Sequence, residues 1–291
     1  MVVFNEKEKL TPVIVELKNQ NKTIGFIPTM GALHEGHMSL VKASKAQNDY
    51  TIVSIFVNPT QFNNPEDLAK YPRTEESDKE LLMKNGCDFV YMPTVEDLYE
   101  SNEGAKHYDF GTIDKVMEGS SRPGHFDGVA TIVCKLFKAV QPTRAYFGEK
   151  DFQQIRIIQE MVKQENLDVE IVPMPIHRAN SGLAFSSRNA RLSTEQTIDA
   201  PQIFSILSKA VQLKNNGKDV AEVKAFVENE FENSPFELEY FEITDEETLL
   251  SINHFSEAKH IRGFVVAYAG DVRLIDKRAF LELKAKPEFA R

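Results

Sequence analysis

The sequence predicts an α/β fold, with a parallel sheet in residues 1–176 followed by a smaller α+β part in residues 177–291. Three observations point there. Thr51–Val57 is a β-branched run with few polar breaks, the pattern of a strand buried on both faces of a parallel sheet. Two other strand-like runs, Thr23–Ile27 and Arg144–Phe147, each pass through a Gly-containing turn into a helix-like run, at Met38–Ala46 and from Phe152 onward. From Ser193 the pattern changes to two helical stretches, 194–215 and 218–232, and then to strand candidates at Glu237–Thr244, Ile261–Ala269 and Val272–Ile275. Gly270-Asp271 between the last two is a tight hairpin signal.

The remaining elements fill in along the chain. Leu10, Val13, Ile14 and Leu17 recur at helical spacing, which predicts an amphipathic helix over 6–20. EDLAKYPR (66–73) precedes a charged helix at 75–84, and Cys87–Met92 reads as a strand. Residues 100–112 are polar and Gly-containing and are expected to form a flexible excursion. The turn Glu118–Phe126 leads into a helix that buries Phe126, Val129, Val133, Leu136, Phe137 and Val140. The helix from Phe152 buries Ile155, Ile158 and Met161, and Val169–Ile176 is the strand that closes the first part. His177–Asn189 lacks periodicity and is rich in Gly, Ser and Asn, so it reads as a loop.

At 291 residues the chain is long enough for two domains. Its net charge of −10, from 34 basic and 44 acidic residues, argues against nucleic acid or an anionic membrane as main partner. Any site for a polyanion must therefore make its own positive patch. Cys87 and Cys134 have no CxxC spacing, which argues against a disulfide framework or a structural zinc and suits a reducing compartment. The N-terminal stretch carries acids early and lacks the features of a signal peptide, and no run approaches the roughly 18 to 20 apolar residues that span a bilayer. A cytoplasmic location is expected.

The candidate chemistry starts at Pro28-Thr29-Met30-Gly31-Ala32-Leu33-His34-Glu35-Gly36-His37, on the first strand-to-helix turn. Gly31 and Gly36 let backbone approach a ligand, and the N–H groups that open the helix are expected to lack partners, which favours an anion. His34 and His37 share one face if the turn is helical, and two imidazoles there suit a phosphate whose charge grows during reaction. Polar surface histidines or a metal chelate are the alternatives, although His-Glu-Gly-His is not the zinc-protease spacing. Gln61 follows the strand Thr51–Val57, and ligands of open parallel sheets lie beyond the carboxyl ends of strands. At the second turn, Gly148 beside Lys150 at a helix start is a phosphate site in principle, or Glu149, Lys150 and Asp151 are a surface ion cluster. Ser186, Ser187 and Arg188 form either a phosphate clamp or a hinge with a capping serine.

His-x-Gly-His resembles the signature of the nucleotidyltransferase superfamily, and the longer string PTMGALHEGH resembles the pantothenate synthetase (pantoate–β-alanine ligase) family in particular. VSIFVNPTQF, EGSSRPGHFDGVATIVCKLF, GEKDFQQ and SSRN continue the likeness in order, so that it covers nearly the whole chain. The resemblance implies a Rossmann-like ATP- and pantoate-binding domain at 1–176 and a C-terminal lid domain at 177–291, with the loop 177–192 acting as hinge and ATP clamp. It implies an ATP-dependent ligase that condenses (R)-pantoate with β-alanine through a pantoyl adenylate, releasing AMP and pyrophosphate. ATP enters with Mg²⁺, no organic cofactor is tightly bound, and a homodimer is expected. The alternative is an adenylyltransferase of the same superfamily acting on another carboxylate or on a phosphorylated metabolite.

Residue by residue, the family's ATP site maps onto Met30, Gly31, Ala32, Leu33, His34, Glu35, Gly36 and His37, onto Gly148, Glu149, Lys150 and Asp151, and onto His177, Phe185, Ser186, Ser187 and Arg188. His34, His37, Lys150 and Arg188 are the catalytic candidates, with His37 as proton donor. Asp151 is the Mg²⁺ candidate, directly or through water. Gln61 and Gln154 are the candidates for pantoate and β-alanine. Two departures bear on adenine packing: Ser181-Gly182-Leu183-Ala184-Phe185 stands where the family commonly has Asp-Gly-Leu-Ala-Met, and His177 stands where it has an aliphatic residue.

Overall fold

The computed structural model describes residues 1–62 and 65–280, and the chain divides into two compact units, Met1–His177 and Arg178–Arg291. The first unit is built on a six-stranded parallel sheet: β1 (Val2–Phe4), β2 (Ile24–Thr29), β3 (Tyr50–Ile55), β4 (Phe89–Tyr91), β5 (Arg144–Gly148) and β6 (Glu170–Met174), in the order β1-β4-β3-β2-β5-β6. Its helices are α1 (Lys7–Asn19), α2 (Glu35–Gln47), α3 (Pro65–Lys70), α4 (Glu75–Lys84), α5 (Val95–Leu98), α6 (Glu118–Ser121), α7 (His125–Val140) and α8 (Phe152–Gln164). β3 is buried along nearly its whole length, as expected of a β-branched run with few polar breaks.

From β2 the chain builds outward on one side through β3 and β4, then crosses back to place β5 on the other side of β2. The crevice beyond the carboxyl ends of β2 and β5 is therefore the point where the winding reverses, the place where such sheets bind ligands. The turn Met30–His34 leaves β2, Gly148–Asp151 leaves β5, and Asn58–Phe62 leaves β3, so all three candidate turns open at one end of the sheet. One core layer packs Met38, Leu40 and Val41 of α2 and Leu82 of α4 against Ile27, Val53 and Val90. Across the sheet, α7 sets Phe137 edge-on to Phe26 and Phe147.

The second unit contains α9 (Thr194–Asp199), α10 (Pro201–Asn215) and α11 (Val220–Glu232), packed on an antiparallel sheet of β7 (Glu237–Asp245), β8 (Ile261–Ala269) and β9 (Val272–Ala279). Ala200, Ile203, Ile206, Val223, Val227, Phe241, Ile243 and Val265 fill the core between helices and sheet.

The structure corrects three expectations of local structure and adds one strand. The helix expected over 194–215 is broken at Ala200 by Pro201, which has no N–H to continue the ladder and instead starts α10. β9 runs to Ala279 rather than stopping at Ile275. β1, too short to show a period, is an additional edge strand beside β4. The excursion over 100–112 is irregular but anchored: Tyr108 and Phe110 are buried, the Lys106 N–H donates to Thr131 Oγ1, and the Tyr108 N–H donates to Asp127.

Candidate active site

The two histidines of the opening motif cap α2. His34 is the N-cap residue, its backbone extended, and its Nδ1 accepts from the Gly36 N–H at 3.1 Å. His37, three positions on, accepts the His34 N–H on its own Nδ1 at 3.3 Å, completing a reciprocal capping box. The rings lie 4.1 Å apart, centroid to centroid, so the expectation that they share a face holds. An Nδ1 that accepts carries no proton, so each neutral ring holds its proton on Nε2, the donor that a ligand oxygen would meet.

Burial lowers the His34 pKa to about 4, helped by the nearby Lys150 charge, and lowers His37 to about 3, helped by its neighbour His34. Both imidazoles are therefore neutral at pH 7. The same interactions show which groups gather here: Lys150 and Asp151 act on both rings, and His177 acts on His34. Lys150 is 15% exposed with Nζ 3.8 Å from Asp151, whose side chain is 50% exposed. A mostly buried ammonium beside two uncharged N–H donors makes the local positive field that the acidic chain otherwise lacks.

Most of the backbone donors expected to be unpartnered in this turn have acceptors within the protein. Gly31 N–H goes to Thr29 Oγ1 at 3.2 Å, Ala32 and Leu33 N–H go to the two oxygens of Asp78 at 3.0 and 2.8 Å, and Gly36 and His34 N–H go to the imidazoles. Gly31 and Ala32 sit at φ of +81° and +49°, a left-handed pair that aims these N–H groups inward at the protein. These N–H groups are thus spent within the protein, while each imidazole keeps its Nε2–H.

Gln61 is held from three sides. Its Oε1 accepts from Asn58 Nδ2 at 3.3 Å, its backbone carbonyl accepts from His125 Nδ1 at 2.8 Å, and its Nε2 lies 2.9 Å from Met30 Sδ, which joins the β3 turn to the β2 turn. Asn58, 1% exposed, cannot turn its amide over, because its Nδ2 also donates to the Gly128 carbonyl while its Oδ1 accepts from Tyr99. His125 is buried and lowered to about 4 by that burial and by the Arg122 charge, so it too is neutral. Gln153 is spent on structure, donating to the Ile113 and Val116 carbonyls, whereas Gln154 is only half-buried.

In the second unit, Arg178 and Ala184 form an antiparallel bridge, and the Arg178 guanidinium makes a two-pronged bond of 2.7 and 2.7 Å to Asp276 while stacking 4.0 Å from the Phe204 ring. Ser186 then caps the single turn Ser187–Arg191 by accepting the Arg188 N–H at 3.2 Å. The capping alternative is thus true of Ser186, and the hydroxyl still has a proton to donate. Phe185, Ser187 and Arg188 are half-buried beside it, and His177 closes the first unit as an exposed residue.

Asp78, Asn58 and His125 were given no role in the sequence reading. Asn58 and His125 stand inside the motif strings, Asn58 three positions before Gln61 and His125 in the string that the resemblance sets on the pantoate side; Asp78 lies in a helix that reads as charged.

The family described as pantoate-beta-alanine ligase matches residues 2–279. The chain belongs to that family. A pantothenate synthetase of Flavobacterium psychrophilum is 49% identical over 278 residues, 95% of this chain and 98% of its own. One from Bacteroides fragilis is 47% identical over 283 residues, 97% of this chain and 100% of its own. The crystal structure of pantothenate synthetase from Thermus thermophilus superposes with a TM-score of 0.90 at 37% identity, covering 97% of this chain and 100% of that one. A Francisella tularensis pantoate-beta-alanine ligase, solved in complex with beta-gamma ATP and beta-alanine, gives 0.79 at 35% identity over 96% of this chain and 98% of that one. The expected fold, a Rossmann-like parallel sheet with a smaller α+β unit, is that of the family.

Proposed function

We propose that this chain uses ATP to join (R)-pantoate to β-alanine, giving pantothenate, AMP and pyrophosphate by way of a pantoyl adenylate. Family membership and the ligands of the Francisella relative support ATP and β-alanine as substrates. The observation that carries the chemistry is the pair of capped, neutral imidazoles, each with its Nδ1 spent on the cap, beside the mostly buried Lys150.

In the first step the pantoate carboxylate attacks the α-phosphorus and the pyrophosphate leaves. Two anions must approach, and the Lys150 ammonium, its side chain 15% exposed, offsets that repulsion. His34 and His37 donate Nε2–H bonds to oxygens that gain charge as the bond to pyrophosphate breaks. Their pKa values make them neutral donors at the outset, so the role of proton donor first given to His37 becomes that of a hydrogen-bond donor. Gln61, its amide held by Asn58, and Gln154 orient pantoate so that attack is in line. In the second step the β-alanine amine attacks the acyl carbon and AMP departs. The resemblance assigns Ser186, Ser187 and Arg188 to the phosphates, with Phe185 and His177 at the adenine, and makes the second unit a lid.

The donor set suits Mg²⁺ that arrives with the nucleotide. Asp151 offers one half-exposed carboxylate, and among the described residues no group of three or more His, Cys, Asp or Glu side chains stands ready to hold an ion unaided. When bound, the ion neutralises charge on the phosphate oxygens. Homodimerisation and a cytoplasmic location belong to the same proposal. No helix among the described residues is long and apolar enough to cross a membrane, and both cysteines are free and buried.

The test is pyrophosphate exchange into ATP and AMP release, with Mg²⁺ and pantoate, with and without β-alanine. Exchange that needs pantoate but not β-alanine, with steady AMP release only when both acids are present, is the expected result. Folded, ATP-binding protein that shows no pantoate-dependent exchange refutes the choice of acid and returns the alternative, transfer of AMP to another carboxylate or a phosphorylated metabolite.

A further inference from the structure

Asp78 lies 46 and 45 positions from the two residues it binds, on α4, a helix that otherwise reads as a charged outer helix. It is 3% exposed. Its Oδ2 accepts the Ala32 N–H at 3.0 Å and its Oδ1 the Leu33 N–H at 2.8 Å, and Thr74 Oγ1 donates to Oδ2 at 3.2 Å. A carboxyl group that spends one oxygen on each of two successive peptide N–H groups fixes the plane and direction of both peptides. Those peptides flank Ala32, a residue with a Cβ at φ +49°, a conformation that persists only where the surroundings enforce it. Gly31 is part of the same fit: a Cβ there would stand 3.0 Å from Asp78 Oδ2.

The next residue after Leu33 is His34. Its extended backbone puts its own N–H on His37 Nδ1, and its ring accepts from Gly36. A chain of contacts therefore runs from Asp78 through the Ala32 and Leu33 peptides to the His34 peptide, and from there to both imidazole rings. Without the carboxyl, two inward-facing N–H groups lose their acceptors and Ala32 is free to leave the left-handed region, which turns the His34 peptide and both rings with it.

We propose that Asp78 is a positioning residue for adenylation: through the Ala32 and Leu33 N–H groups it fixes the capping geometry that holds His34 and His37 with Nε2–H toward the substrate. This rests on the function proposed above. Asp78 touches neither imidazole; it acts through the backbone of the turn.

The test compares Asp78→Asn with Leu82→Ala. Leu82 is fully buried one turn further along α4 and packs in the core, so its truncation loosens the same helix while leaving both carboxyl bonds to the turn in place. Asp78→Asn keeps the size but presents an NH₂ to one of the two N–H groups. The expected result is a fall in kcat for pantoate-dependent pyrophosphate exchange of about 10- to 100-fold with a much smaller change in KM for ATP, the scale of a catalytic group misplaced by an ångström. Leu82→Ala lowers the melting temperature and leaves kcat near that of the unmutated protein. Imidazole ¹⁵N spectra supply the readout that a merely structural role would not move: both rings are Nε2–H in the unmutated protein and become tautomer mixtures in Asp78→Asn. If Asp78→Asn does not fold, Thr74→Val, which removes only the hydroxyl donor to Oδ2, gives a smaller fall in the same direction. Native kcat and native tautomers in a folded variant, or equal losses of kcat in Asp78→Asn and Leu82→Ala, overturn the proposal. If the unmutated protein shows no exchange, it is the proposed reaction that fails, and the tautomer comparison still decides the role of Asp78.

Discussion

Replacing Gly128 by Ala tests whether α7 sets the position of Gln61. A Cβ at Gly128 would stand 2.5 Å from the Thr60 carbonyl oxygen and 2.8 Å from Gln61 Cα, both backbone atoms that cannot rotate away. Relief to a carbon–oxygen contact of about 3.3 Å requires the turn or the helix to give by roughly 0.8 Å. Overpacking of this kind costs about 1–3 kcal/mol, while exchanging Gly for Ala inside a helix returns about 1 kcal/mol. The net loss of stability is therefore roughly 0–2 kcal/mol, a fall in Tm of at most roughly 8 °C for a unit of this size. Activity should change far more. The displaced atoms belong to Thr60 and Gln61, and the Gly128 carbonyl is also the acceptor that fixes the Asn58 amide. A shift near 1 Å at a substrate-orienting group costs about 10²-fold, so kcat/KM for pantoate in the exchange reaction should fall by that order, with the ATP parameters much less affected. Gly128→Ala with native kcat/KM for pantoate would refute either the coupling of α7 to the turn or the placing of Gln61 on the substrate. A calorimetric scan of the same sample separates this outcome from global unfolding.

Four further outcomes follow from the same geometry. His37→Asn keeps an acceptor near the Nδ1 position for the His34 N–H but has no Nε2–H, so adenylation should drop by about 10² to 10⁴ with the fold retained, and a fully active variant would remove His37 from the reaction. His34, His37 and His125 sit at about 4, 3 and 4 against 6.5 when exposed; above pH 6.5 folded and unfolded chains are both neutral there, and below it only the unfolded chain takes up protons. Stability should consequently fall as pH drops from 6.5 towards 4, by at most roughly 1.4 kcal/mol per pH unit for each imidazole and less for the partly exposed pair, and urea midpoints that stay level from pH 7 to 5 would contradict the lowered values. Asp276→Ala leaves Arg178 partly buried without its partner, its side chain only 16% exposed, and should cost about 3–5 kcal/mol in urea unfolding, much of it regained in the double variant Arg178→Met/Asp276→Leu. Chelation with EDTA should stop AMP formation yet leave the melting temperature unchanged, because no cage of three protein ligands exists among the described residues; a large loss of stability would mean a resident metal.

Much of the fold was legible because its signals are local. The burial of β3 follows from a β-branched run broken only by Ser54, and the β8–β9 hairpin from Gly270-Asp271 between two apolar runs. Where the reading failed, a short-range signal was overruled or too brief to register. The helical period of 194–215 runs through Pro201, but Ala200 packs at the break, fully buried, and two helices result. Residues 100–112 looked like a free excursion because their composition is polar, yet two aromatic side chains are enough to pin the backbone to α7 and its neighbours.

The site divides along the same line. His34, His37, Lys150 and Gln61 could be placed at one edge from sequence because each lies on a turn directly after a strand of a parallel sheet, while their roles rest on the family resemblance. What the turn does with its backbone could not be read that way. Two glycines ahead of a helix suggested vacant N–H groups for a phosphate, but whether such groups are vacant depends on every acceptor that folding brings near, and here the acceptor is a carboxyl group from a helix 45 residues away. That one contact changes the character of the site: the backbone serves to hold the rings, and in the proposed reaction the rings meet the phosphates. A loop that presented its own N–H groups would bind any polyanion, before and after reaction alike. Two oriented, uncharged Nε2–H donors next to one buried ammonium gain most where charge is growing, and that difference between ground state and transition state is what raises a rate.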